Sequence, residues 1–262
     1  MGFKIAVVDA FTSRQFGGNP AAVCFLPQAE GEDWMQLVAQ ELNLPATSFL
    51  SPEKDGFRLR WFTPRTELEL CGHGTFAGAH FLRLEGHLKK DSDVLFHTRS
   101  GTLTARLAGD WIEVDFPSEQ EKPSPPPSDL ITALGVPAKY VGKNRLDYLV
   151  EVDSEETVRK TTPDFELLKA VPTRGVMVTS LSHSGDYDFV SRFFAPSIGI
   201  DEDQVTGSAH CCLGPYWSTK LHKADLTAFQ ASRRGGVIRV RVMGDRVRLG
   251  GQVTTVLRGE LN

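Results

Sequence analysis

Phe3 to Asp9 and Ala21 to Leu26 are two short, nearly unbroken apolar runs. Runs of this length bounded by turn residues predict buried strands. Gln15-Phe16-Gly17-Gly18-Asn19-Pro20 between them predicts a turn. From Glu32 to Leu42 the pattern changes period: Trp34, Leu37, Val38, Glu41 and Leu42 recur at helical spacing, which predicts an amphipathic helix. Thr47–Leu50, Phe57–Phe62 and Leu68–Cys71 return to strand patterns. Gly72 to Leu84 is small and apolar nearly all round, as expected of a buried helix. Val94–Thr98, Leu103–Leu107 and Trp111–Phe116 alternate as antiparallel strands do, with Gly109-Asp110 as a hairpin turn. Further on, Leu130–Leu134, Pro163–Lys169 and Ser208–Leu221 read as helices. Asp147–Val152, Gly175–Ser180, Tyr187–Phe194, Val237–Val242, Arg246–Leu249 and Thr254–Leu257 read as strands.

The pattern repeats. Trp61-Phe62-Thr63-Pro64 matches Phe193-Phe194-Ala195-Pro196, with Pro64 and Pro196 offset by 132 residues. Gly72 then matches Gly207, Gly101 matches Gly236 and Asp110 matches Asp245, each offset by 135. A constant long offset in a non-repetitive chain predicts a duplicated domain. The expected fold is α+β, with two pseudo-symmetric domains, each a curved, mostly antiparallel sheet wrapped around a central buried helix. Pro117 to Ser128 holds five prolines and predicts a break. The expected division is an N-terminal domain over 1–117, a Pro-rich linker over 118–128 and a C-terminal domain over 129–262, the last strand being a candidate to return to the first domain.

Composition narrows the function. The 262 residues suffice for two cores. A net charge of −4 without a basic block argues against nucleic acid. No apolar run reaches membrane-span length, and no signal peptide is read at the N-terminus, so no membrane partner is expected. Cys24, Cys71, Cys211 and Cys212 form neither a disulfide framework nor paired zinc spacing, which fits a cytoplasmic setting.

The chemistry gathers at the two predicted helix starts. A helix N-terminus carries unpaired N–H groups and about half a positive charge. Glycine beside it lets a ligand reach the backbone. Cys71-Gly72-His73-Gly74-Thr75 and Thr206-Gly207-Ser208-Ala209-His210 each describe such a start. Facing each other across a cleft, the two would hold a small anion. Cys71 is either a base with a thiol activated by the helix dipole or a small buried hydrophobe. Its counterpart Thr206 is too weak an acid and base for a symmetric two-cysteine racemase. His73 titrates near neutrality, and Asp203 precedes the second start, so the two form a candidate proton-handling pair. Asp201 and Glu202 beside it read as solvated surface. Thr75 and Ser208 are candidate ligand donors. His210, Cys211 and Cys212 point in different directions from a helix, so no metal is expected.

Val8-Asp9-Ala10-Phe11-Thr12, Gly18-Asn19-Pro20-Ala21-Ala22-Val23, Cys71-Gly72-His73-Gly74-Thr75 and the stretch from Glu202 to His210 together resemble the phenazine-biosynthesis PhzF-like family of the diaminopimelate epimerase superfamily. Arg234-Gly235-Gly236 and Gly250-Gly251 fit the same pattern. The resemblance implies a cofactor-independent isomerase with a site between two domains, and a homodimer. It places Asn19, His73, Asp203, Gly207 and Ser208 at the pocket, and Ala46 joins them at the family's glutamate position. Gly72, Gly74 and Thr75 are candidate substrate-binding positions because they form the first helix start. The family's proton-shuttling glutamate falls at Ala46, which cannot carry a proton. Three readings stay open: an isomerase whose proton transfer rests on His73, Asp203 or Cys71; a disabled binding or regulatory protein, whether Ala46 is native or introduced; and a hydroxy-acid dehydratase using Cys71 and Thr206.

Overall fold

A computed structural model describes residues 2–90 and 92–262. The chain divides into two compact units, one comprising Met1–Phe116 with Leu249–Asn262, the other Pro117–Arg248.

In the first unit β1 (Phe3–Ala10) pairs antiparallel with β2 (Asn19–Phe25) and with the C-terminal strand Val253–Leu261. Helix α1 (Glu32–Leu42) carries the chain to β3 (Thr47–Glu53), which lies parallel to β2. Next come β4 (Gly56–Phe62), antiparallel to β3, and the two-residue β5 (Glu67–Leu68). Helix α2 (Gly72–Leu84) then crosses over to β6 (Asp93–Thr98), parallel to β4. A meander through β7 (Gly101–Ala108) and β8 (Trp111–Pro117) follows. Its hairpin turns on Gly109 at φ +66°, a left-handed angle that glycine takes without a Cβ clash.

α2 is the central helix: every residue from His73 to Leu82 is buried. α1 covers another face, with Met35, Val38 and Ala39 packed against Cys24, Leu26, Phe49 and Phe62. Leu37, expected on that face, is 63% exposed.

The second unit repeats the plan. β9 (Lys122–Pro123) edges β10 (Tyr140–Lys143), which pairs antiparallel with β11 (Asp147–Glu151). Helix α3 (Ser128–Leu134) lies between β9 and β10 in the chain. Two short helices, α4 (Glu155–Lys160) and α5 (Phe165–Ala170), lead to β12 (Gly175–Leu181), parallel to β11. β13 (Phe189–Ala195) and β14 (Ile200–Asp203) follow, and α6 (Gly207–Leu221) crosses over to β15 (Asp225–Gln230), parallel to β13. β16 (Gly236–Met243) closes the run, and β17 (Arg246–Gly251) begins in this unit and ends in the first. α6 is buried from Ala209 to Trp217, while α3, α4 and α5 pack on the outside around Leu130, Val158, Leu168 and Phe194. The crossovers β4–α2–β6 and β13–α6–β15 are the same motif at the offset seen in the sequence.

The Pro-rich stretch predicted as a linker is part of the second unit. Ser118 N donates to Asp245 O at 2.9 Å, Glu119 N donates to Cys211 O at 3.0 Å, and Lys122–Pro123 forms a ladder with β10. Proline lacks a donor but keeps its carbonyl and an extended φ, so it serves at a sheet edge. The acidic run predicted as surface is β14, and Glu202 pairs with Arg192 at 2.6 Å with 17% of its side chain exposed. Among the described residues no helix is long and apolar enough to cross a membrane.

Candidate active site

Helices α1, α3, α4 and α5 all carry an acidic residue in the first turn. α4 and α5 are also capped by the side chains of Ser154 and Asp164. α2 and α6 have neither an acidic first turn nor a side-chain cap. Their cap residues, Cys71 and Thr206, hold extended backbone angles and present the first-turn amides without a side-chain acceptor of their own. The two most buried helices thus have positive ends with no acidic residue in the first turn and no side-chain cap, and such an end stabilises an anion.

At the α2 start, Cys71 and His73 are 5% and 8% exposed, and Cys71 Sγ lies 3.6 Å from His73 Nδ1. Thr75 is fully buried, and its hydroxyl donates back to the Cys71 carbonyl at 2.7 Å. The Thr75 proton is thereby held by the helix backbone. Gly74 accepts at its carbonyl from Ser48 Oγ at 2.9 Å. A Cβ at position 74 would stand 2.6 Å from Trp61 Cδ1 and 3.1 Å from Cys71 Sγ. The glycine therefore lets α2 seat against β4. Gly74→Ala is expected to destabilise the protein by about 1–3 kcal/mol, as overpacking of a filled core does; a lowered denaturant midpoint at unchanged m-value checks this.

Ala46 is fully buried, and its carbonyl accepts from Ala22 N at 2.9 Å at the head of β3. Strand alternation puts positions 46 and 48 on one face, and Ser48 touches the first turn of α2. A longer side chain at 46 would therefore extend toward that turn. Asn19 is buried at the start of β2, opposite Ala10.

At the α6 start, Gln230 on β15 accepts from Thr206 N at 2.8 Å and donates to the Asp203 carbonyl at 2.7 Å. Thr206 Oγ1 donates to Asp203 Oδ2 at 2.7 Å. These bonds fix Asp203 beside the helix start. Gly207 is buried and Ser208 half-buried. Ser208 Oγ accepts from Arg174 Nη2 at 3.1 Å, and Arg174 also donates Nε to Asp147 Oδ1 at 2.8 Å. Arg174 holds the Asp147 carboxylate through a second contact as well, from Nη2 to Oδ2. One turn on, His210 is fully buried; its Nδ1 donates to the Thr206 carbonyl at 2.8 Å and burial pushes its pKa down to about 4. No group of three His, Cys, Asp or Glu among the described residues could hold a metal.

Within the first unit, then, Cys71, Gly72, His73 and Gly74 gather at one helix start. Within the second, Asp203, Gly207 and Ser208 gather at the other. Sequence reasoning missed Gln230, Arg174 and Asp147. Gln230 sits at the inward end of a strand whose alternation (Leu226, Ala228, Gln230) was the available signal. Arg174 and Asp147 meet through folding alone.

A family profile described as phenazine biosynthesis-like protein matches residues 8–259. An uncharacterised isomerase of Halalkalibacterium halodurans is 55% identical over 98% of this chain and 97% of its own length. The crystal structure of a PhzF-family phenazine biosynthesis protein from Enterococcus faecalis superposes with a TM-score of 0.94 at 39% identity, covering 100% of both chains. A probable proline racemase from Agrobacterium radiobacter shares the fold, with a TM-score of 0.64 at 12% identity over 99% of this chain and 93% of that one. Built from two units, each a curved sheet around a buried helix, the chain belongs to the phenazine biosynthesis-like, or PhzF, family.

Proposed function

We propose that this chain is a cofactor-independent isomerase that moves a proton on a small carboxylic acid. The observation that carries the reading is the pair of buried helices whose positive ends lack both an acidic first turn and a side-chain cap. A carboxylate fits such an end, and the same amides stabilise the charge that builds on it as a neighbouring C–H bond breaks. The bonding pair enters the conjugated acid, and the proton returns at another carbon. His73 and Asp203 handle the proton, Cys71 acts as auxiliary base beside the His73 ring, and the Gly72, Gly207 and Ser208 positions bind the anion. Relatives named isomerases support the reaction class.

Ala46 favours a second reading, a binding protein that holds the acid without turning it over. The dehydratase reading is weaker, because the Thr206 hydroxyl is too weak an acid near neutrality to protonate a departing hydroxide unaided.

The test is incubation with a panel of cyclic amino and hydroxy acids in deuterium oxide. Deuterium incorporated at a carbon of the recovered acid, seen by mass spectrometry, is the expected result. If no acid gains deuterium while Ala46→Glu exchanges one that the parent chain binds unchanged, the binding-protein reading replaces the isomerase.

A further inference from the structure

We propose that Arg174 is the positioning residue that makes Ser208 a donor to the bound carboxylate. The inference rests on the reading of the α6 start as an anion site and deepens it. Arg174 precedes β12, and its carbonyl is pinned by Ser197 Oγ at 2.9 Å. Its guanidinium is forked onto Asp147, a carboxylate 1% exposed, and stacks 5.5 Å from the Phe193 ring centre. Asp147 is itself held where Asn144 Oδ1 accepts from its backbone N–H at 2.7 Å. A buried acid, a planar fork and an aromatic face leave the guanidinium little freedom.

From that fixed position Nη2 donates to Ser208 Oγ. A hydroxyl that accepts from a cation still has its own proton, and electrostatics turns that proton away from the guanidinium. Ser208 lies in the first turn of α6, among the amides that the cap residue leaves without a side-chain acceptor. Its proton is thus offered to whatever anion those amides bind, in a charge-assisted chain from Asp147 through Arg174. The Arg174 side chain is 28% exposed, so the guanidinium is only partly withdrawn from water. This arrangement predicts selectivity for a carboxylate over its amide, because two charged oxygens accept from Ser208 and the first-turn amides together, whereas an amide has one neutral acceptor and an N–H facing donors.

The test compares benzoate and benzamide binding by NMR titration in the parent chain, Ser208→Ala, Arg174→Lys and the double variant Asp147→Asn/Arg174→Gln. The double variant leaves no unpaired buried charge, and Arg174→Lys keeps the ion pair while losing the fork. The expected result is benzoate preferred in the parent, a loss of tenfold or more in all three variants, and a benzoate-to-benzamide ratio that collapses toward one with thermal midpoints largely kept. Benzoate affinity and selectivity unchanged in both Arg174 variants, with Ser208→Ala weakened, would overturn the role of Arg174 and leave the anion site standing. No difference among parent, Ser208→Ala and the Arg174 variants would overturn both.

Discussion

His73→Gln is expected to lower solvent-deuterium incorporation by about 10²–10⁴-fold, the span that a positioned acid–base group contributes. Glutamine is close to histidine in size and keeps hydrogen-bonding capacity, yet is neither an acid nor a base near neutrality. The imidazole is 8% exposed in the first turn of α2 and lies against the Cys71 thiol, so the substitution keeps most of the packing and removes the chemistry. Cys71→Ser separates the two neighbours. Serine is a preferred cap residue and keeps α2 intact, but its hydroxyl is a far weaker acid than a thiol. If the thiol carries the proton, Cys71→Ser falls as far as His73→Gln; if it only orients the ring, the loss is near tenfold. A His73→Gln variant that exchanges deuterium at the parent rate, with an unchanged thermal midpoint, would falsify the assignment of His73.

Both central helices and the duplication that relates them were legible because their signals are local. Gly72–Leu84 follows from its small-residue pattern and has those bounds in the fold, and Ser208–Leu221 is found one residue longer, from Gly207. The outer helix Glu32–Leu42 follows equally from its 3.6-residue pattern. What stayed hidden depends on distant partners. Ile200–Asp203 is three-quarters acidic, and it becomes a strand because Arg192 neutralises Glu202 and Thr206 and Gln230 bond Asp203. Asp225–Gln230 ends in a polar residue facing inward, which broke the apolar reading of the strand. α4 did carry a signal, Ser154 ahead of Glu155-Glu156 with Arg159-Lys160 behind, but it was too short for an apolar stripe to mark it. The site follows the same division. Glycines, His73 and Asp203 advertise themselves by motif, whereas Arg174 and Asp147 are 27 residues apart and acquire meaning only when β11 and β12 align in parallel.

The second large effect is on stability in mild acid. His80 on α2 and His210 on α6 are buried, and each has its pKa pushed down to about 4. Burial is the main cause for both. Arg83 and Arg258 add repulsion at His80, while the Thr206 carbonyl partly opposes the shift at His210. His80 Nε2 meets Thr255 Oγ1 at 2.9 Å, and His210 stacks 5.9 Å from Phe189; among the described residues neither ring is paired with a carboxylate that would welcome a proton. In the unfolded chain both rings titrate near the ordinary 6.5. As pH falls below that value the unfolded state takes up protons first, so stability is complete above about 6.5 and is lost progressively toward 4. A shift of this size corresponds to about 3 kcal/mol per ring at full extent. The carboxylates whose pKa is lowered, such as Glu85 and Glu155, lose their contribution only below the ordinary 4.5, a window beneath the histidine one. Asp147, raised by burial, has the opposite sign and gains as pH falls, but it is common to parent and variants and cancels in their difference. Urea denaturation at pH 7.5, 6.0, 5.0 and 4.5 checks the effect: the parent should lose several kcal/mol across the series, and His80→Gln and His210→Gln should each flatten the slope. A parent stability that is level from pH 6.5 to 4.5 would mean that the rings stay charged in the fold or open to water before the chain unfolds.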